Sequence, residues 1–164
     1  MQDFFSFPNP VNDKAARTVA AGVLVGVILT LVTGWYWLLI PIAYGFWARV
    51  LTGPKLSPLG WVAMNVIAPR LGEKVYVPGP PKRFAQAMGT FMSSMALLFG
   101  LILGNYTVAD VFLSLLILGA GLESIFGYCL GCKAFALLMR AGLIPEDVCA
   151  ECADISGRLG VVRP

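Results

Sequence analysis

Four stretches of this chain are long and apolar enough to cross a lipid bilayer, a crossing that takes about 20 residues. They run from about 14 to 33, 36 to 51, 84 to 103 and 107 to 128. A bilayer core offers no water to unpaired backbone groups, so such segments must be helical. The composition agrees: of 164 residues, 58% are hydrophobic and 13% charged, where an average soluble domain carries roughly 25% charged residues. The expected fold is therefore all-α, an integral membrane four-helix bundle forming a single domain over residues 1–164 with the lipid bilayer as its main partner.

The connections refine that picture. Only Gly34 and Trp35 separate the first two segments, which predicts a tight antiparallel hairpin. Trp35, Tyr36 and Trp37 at this tip, with Tyr106 at the second, fit the aromatic belt of a membrane interface. Asn12 or Asp13 is the expected N-cap of the first span. The loop 52–83 holds most of the prolines. Within it, Ser57 and Pro58 are expected to start an interfacial helix, Leu59 to Ala68, that is too short to cross. Val77 to Arg83 reads as a stiff proline connector into the third span. The fourth segment stays compatible with one helix from Thr107 through Arg140, about 51 Å long. That exceeds the hydrocarbon layer of about 30 Å, so the helix is expected to project from the membrane. It should end near Gly142, with Pro145 opening a return helix. The result is a cytoplasmic helical hairpin over 129–158.

Basic residues set the orientation. Lys14, Arg17, Arg49, Lys55, Arg70, Lys74, Lys82, Arg83, Lys133, Arg140, Arg158 and Arg163 all fall on one side of a four-span arrangement, and the two tight turns opposite have none. The positive-inside tendency then puts both termini in the cytoplasm, with the chain in the plasma membrane. A net charge of +3 is too small and scattered to point to nucleic acid. The segment before Val19 carries Asp3 and Asp13 and no early basic region, so the first span is expected to be retained rather than cleaved. Phe4, Phe5 and Phe7 read either as an interfacial foot or as a partly ordered tail. Gly22 and Gly26, Gly100 and Gly104, and Gly127 and Gly131 form small-xxx-small pairs suited to close helix approach, within the bundle or with a larger membrane complex.

The chemistry concentrates in the cysteines. All four lie in two C-x-x-C pairs, Cys129 with Cys132 and Cys149 with Cys152, and the chain has no histidine. A dithiol of this spacing can exchange disulfides, pass on sulfur, or chelate a soft metal. Sixteen residues between the pairs suits a four-thiolate zinc or iron site built from Cys129, Cys132, Cys149 and Cys152. The same four residues suit thiol redox or sulfur transfer at the cytoplasmic face. Plain packing is the third reading. On a continuous fourth helix, Cys129 and Cys132 would sit toward a helix C-terminus, where the dipole does not activate them. Glu123, a carboxylate inside a span, is a further candidate, either as proton acceptor or as ion-pair partner of Arg49 or Arg17, with Gln86 as a hydrogen-bond donor. It lies roughly 240° around such a helix from Cys129, so no direct partnership is expected.

Gly53-Pro-Lys-Leu-Ser-Pro58, Pro80-Pro-Lys-Arg-Phe-Ala-Gln86, and Glu123 followed by Phe126-Gly-Tyr-Cys-Leu-Gly-Cys132 resemble a bacterial integral membrane family catalogued as domain of unknown function 4395. The resemblance covers nearly the whole chain. It implies a four-span protein of the bacterial inner membrane with a Cys-x-Gly-Cys hallmark, associated with thioredoxin-like or sulfurtransferase partners. Cys149 and Cys152 are not placed by the family pattern. The combined expectation is a membrane-embedded thiol redox or sulfur-handling protein. The alternative is a zinc- or iron-binding accessory subunit of a larger membrane complex.

Overall fold

The computed structural model describes residues 9–72, 75–145 and 148. The expected aromatic foot at Phe4, Phe5 and Phe7, the return helix after Pro145 and the pair Cys149 and Cys152 lie outside the described residues. Among the described residues the regular structure is helical but for one two-stranded ribbon.

Strand β1 (Val11–Asn12) leads into helix α1 (Asp13–Thr33), where the Asn12 side chain accepts the Lys14 N–H as N-cap. After Gly34 and Trp35, a 3-10 turn (Tyr36–Leu38) runs straight into α2 (Leu39–Thr52). Ser57 caps α3 (Pro58–Val62) by accepting the Gly60 N–H at 3.2 Å. The helical path continues through a wide turn at Ala63–Ile67 and a 3-10 turn at Ala68–Leu71, beyond the expected end at Ala68. Strand β2 (Tyr76–Val77) pairs antiparallel with β1, Val11 opposite Val77 and Asn12 opposite Tyr76. Then come α4 (Gly79–Leu97), extended by a wide turn at Leu98–Ile102, and α5 (Tyr106–Phe126), capped by the Asn105 side chain. The last described helix is α6 (Leu130–Arg140).

Two expectations are corrected. The third apolar helix starts at Gly79 rather than 84, because Pro80 and Pro81 occupy its first turn, where a missing N–H costs no hydrogen bond. The fourth segment is not one helix through Arg140. It breaks between Phe126 and Leu130, with consequences for the cysteines described below.

Among the described residues, three helices are long and apolar enough to cross a membrane: Asp13–Thr33, Gly79–Ile102 and Tyr106–Phe126. The second expected span is shorter, a 3-residue turn joined to a 14-residue helix, together about 25 Å at 1.5 Å per residue. Along α1, Ala15, Val19, Val23 and Val27 recur every fourth residue and meet Leu39, Phe46, Ala96, Leu113 and Leu116 in the core. The exterior is apolar, Val32 being 78% and Phe126 73% exposed, while Thr30, Arg49, Ser57, Lys82, Thr90 and Ser93 are buried. A soluble protein does not coat itself this way. Together with the three long helices, this marks a membrane protein.

Helix α1 packs chiefly on α5, and α2 on α4; α4 also meets α5 and carries α6. The ends of the bundle are tied by polar contacts. At one end, Lys82 Nζ from α4 lies 3.0 Å from Asp13 Oδ1 on α1 and 2.7 Å from Glu123 Oε1 on α5. At the other end, Tyr36 Oη donates to Asp110 Oδ1 at 2.7 Å, and the Tyr36 and Tyr106 rings sit 4.7 Å apart. The β1–β2 pairing holds the starts of α1 and α4 together, so α2 must bring the chain back along the bundle.

The Lys82 side chain is 6% exposed and those of its partners Asp13 and Glu123 20% and 14%. Lys82→Met strands both carboxylates, and the expected loss is about 3–5 kcal/mol. Thermal unfolding in detergent reads this directly. Adding Asp13→Asn and Glu123→Gln to the variant should restore most of the loss.

Candidate functional site

The site is built where the fourth apolar segment breaks. Helix α5 stops at Phe126, and Gly127 takes φ +67°, a conformation costly for any residue with a Cβ. The carbonyls freed by the stop are taken. Gly127 N–H donates to Glu123 O and Tyr128 N–H to Leu122 O, each at 3.0 Å. Arg17 Nη2 reaches across from α1 to donate to Ile125 O at 3.0 Å and Ser124 O at 3.4 Å. A cation there also suits the negative end of the helix dipole.

The chain restarts as α6 with Cys129 as its N-cap. Cys129 Sγ accepts the Cys132 N–H at 3.2 Å, a role usually taken by a Ser, Thr, Asp or Asn oxygen. Cys129 and Cys132 are joined as a disulfide, their Cα atoms 5.2 Å apart. The expected placement toward a helix C-terminus is thus overturned. Because of the break at Gly127, the pair occupies a helix N-terminus, where the dipole favours thiolate. Helix α6 is pressed onto α4: Phe84 and Phe135 rings stand 5.7 Å apart, and a Cβ added at Gly131 would fall 2.5 Å from Ala85 Cα. The glycine between the cysteines is what permits this approach.

Glu123 also finds other partners than expected. Its ion pair is with Lys82, a residue placed by the sequence reading in the connector. Arg17 caps α5 instead, and Arg49 turns to neutral groups. Arg49 Nε donates to Gln86 Oε1 at 2.8 Å and Nη1 to Ser57 Oγ at 3.2 Å, and the guanidinium carbon lies 4.6 Å from the centre of the Phe46 ring. Arg49 Nη2 is buried with no hydrogen-bond partner.

Several of these residues line one cavity of about 110 Å³. Arg49 comes from α2, Gln86 from α4, Glu123 from α5, and Cys129 and Gly131 from the head of α6, with apolar side chains of α1, α4 and α5 completing the wall. Glu123 and Cys129, expected on different faces of one helix, share this cavity because the break redirects the chain. Such a site sets a disulfide beside a mostly apolar cavity whose wall carries one guanidinium and one carboxylate. Of the four-thiolate set, Cys149 and Cys152 lie outside the described residues, and among the described residues no three His, Cys, Asp or Glu converge as a metal site. Arg49 was readable as a candidate, since it is an ionisable residue inside an apolar segment. Lys82 was hidden by the prolines before it.

Gly131→Ala is expected to cost about 1–3 kcal/mol through overpacking against Ala85 and to weaken closure of the Cys129–Cys132 bond. Gly121→Ala is the control, because nothing lies within 4 Å of a Cβ there. Unfolding temperature and the fraction of disulfide under a fixed glutathione buffer separate the two variants.

No curated protein and no solved structure matches the chain. A family model described as Domain of unknown function (DUF4395) matches residues 11–140, from β1 to the end of α6, and so takes in both the Lys82 ion bridge and the Cys129–Cys132 pair. The chain belongs to the DUF4395 family.

Proposed function

We propose that this chain is a membrane-embedded thiol exchange protein, handling disulfides or sulfur through Cys129 and Cys132 at the cytoplasmic face. The observation that carries the reading is the bonded pair at the α6 N-terminus, with Cys129 Sγ held by the Cys132 N–H. That position stabilises a thiolate, and the thiolate is the species that attacks or leaves in exchange.

Four crossings of the plasma membrane of a bacterium suit the bundle. α2 is short, but the β1–β2 pairing, which joins the starts of α1 and α4, supports a return of the chain through it. The described basic residues, Lys14, Arg17, Arg49, Lys82, Arg83, Lys133 and Arg140 among them, belong to that same end, and the opposite tips at Gly34–Trp35 and Gly104–Asn105 have none. The positive-inside tendency makes it the cytoplasmic end. Lasting structural disulfides are disfavoured in the cytoplasm, so a bonded pair there fits a transient, working disulfide. A thioredoxin-like or sulfurtransferase protein is the matching partner, alone or within a larger membrane complex.

Purified protein equilibrated in glutathione buffers, alkylated and analysed by mass spectrometry should show Cys129–Cys132 passing reversibly between dithiol and disulfide. Cys129→Ser or Cys132→Ser should abolish this, and Cys149→Ser with Cys152→Ser should leave it intact. One equivalent of zinc or iron, lost when any one of the four cysteines becomes serine, would overturn exchange in favour of a metal clasp.

A further inference from the structure

The two sulfurs of the pair face different surroundings. Cys129 is 9% exposed and lines the 110 Å³ cavity. Cys132 is half-buried and is not part of the cavity wall, and its neighbours Tyr128 and Lys133 are exposed, the Lys133 ammonium lying 5.5 Å from the centre of the Tyr128 ring. The inner sulfur also holds the N-cap position and accepts the Cys132 N–H. A hydrogen bond of this kind strengthens when its acceptor becomes an anion.

The cavity offers that anion a cation. Arg49 lines it with Nε and Nη1 bound to neutral groups and Nη2 buried and unbound. Glu123 from α5 is the other charged residue in its wall, and beyond the wall stand Asp13 and Arg17 from α1 and Lys82 from α4. Lys82 holds both carboxylates, so Glu123 acts on the Arg49 guanidinium only through space, and Arg49 has no ion-pair partner among the described residues. A buried charge without a counterion is costly and gains from one that forms beside it.

Resting on the exchange reading above, we infer that Cys132 is the sulfur that an incoming protein thiolate attacks, and that Cys129 is expelled inward as a thiolate stabilised by Arg49. The partner is a thioredoxin-like dithiol protein. Its thiolate attacks Cys132 Sγ, and its electron pair makes the partner–Cys132 bond. The Cys129–Cys132 bond breaks, and that bond's electron pair leaves on Cys129 Sγ. The partner's second thiolate then attacks its own sulfur in the mixed disulfide and expels Cys132, which takes a proton from water. The partner ends as a disulfide and the Cys129–Cys132 pair as a dithiol. Cys129 is the leaving group, and the attacking group when the same exchange runs in reverse; Arg49 is a positioning residue that sets how readily it leaves.

Labelling tests the division of roles without any change to Arg49. In the reduced wild type, a maleimide carrying a long polyethylene glycol should modify Cys132 well before Cys129, whereas iodoacetamide should reach both. Oxidised glutathione should add to Cys132 in the Cys129→Ser variant about tenfold faster than to Cys129 in Cys132→Ser. Equal or reversed order in a protein that still cycles overturns the division alone; a wild type that does not cycle overturns the exchange reading itself. For Arg49, thiolate absorbance of the Cys132→Ser variant should titrate below the free-thiol value of about 8.5, and a midpoint at or above that value overturns its role. A cation favours the thiolate and hence the reduced form. Arg49→Gln should therefore raise the midpoint by about one pH unit and shift the glutathione equilibrium about tenfold toward the disulfide, about 30 mV. Arg49→Lys should retain most of the wild-type behaviour. An unchanged midpoint and equilibrium in a folded Arg49→Gln protein would also overturn the assignment.

Discussion

The ammonium of Lys82, shared between Asp13 and Glu123, is the contact on which the rest of the bundle depends. Its two carboxylates come from residues 13 and 123, from opposite ends of the described chain, and the lysine itself opens α4. Removing three charged groups from water is expensive, and the arrangement holds only because each charge is met at hydrogen-bond distance. The bridge ties three helix ends together. It thereby places the end of α5 beside the start of α1, within reach of Arg17. Once Arg17 takes the carbonyls of Ser124 and Ile125, the helix has a stable place to stop.

The break at Gly127 then decides the electrostatic character of the thiol pair. On an unbroken helix the cysteines would sit near the negative end of the dipole, which opposes a thiolate. Restarting the helix at Leu130 puts them at the positive end with no change in their spacing. The close approach of Gly131 to Ala85 holds the new helix on α4 and keeps Cys129 turned to the interior. Fold and site are therefore coupled through one backbone turn.

Much of the scaffold was legible in the sequence because the bilayer imposes few solutions. Apolar length gives the helices, Asn12 and Ser57 are ordinary N-caps, and Gly34 with Trp35 leaves room only for a tight turn. The break was not legible, for physical reasons. A glycine inside an apolar run reads equally as packing or as a stop, and sulfur is a rare N-cap acceptor. The cation that completes the stop, Arg17, lies 107 residues from Ser124 in sequence. Pro80 and Pro81 read as a connector because proline both ends helices and begins them; the Asn9 side chain that accepts the Gly79 N–H at 2.9 Å settles which, and it too is remote in sequence. The β1–β2 ribbon is two residues per strand, below what alternation can signal. Which cation meets Glu123 is a tertiary choice among Arg17, Arg49 and Lys82, all on one side of the bundle.

That choice sets how the charges near the cavity are paired. Glu123 and Arg49 line the same cavity, and an ion pair between them would have left the space electrically quiet. Lys82 takes Glu123 instead, because it can satisfy Asp13 at the same time. Arg49 is left with an amide, a hydroxyl and the face of Phe46, none of which carries a full negative charge. The interaction that holds the helix ends together is thus also the one that leaves a buried guanidinium without an ion-pair partner among the described residues, in the wall of the cavity that the inner cysteine lines.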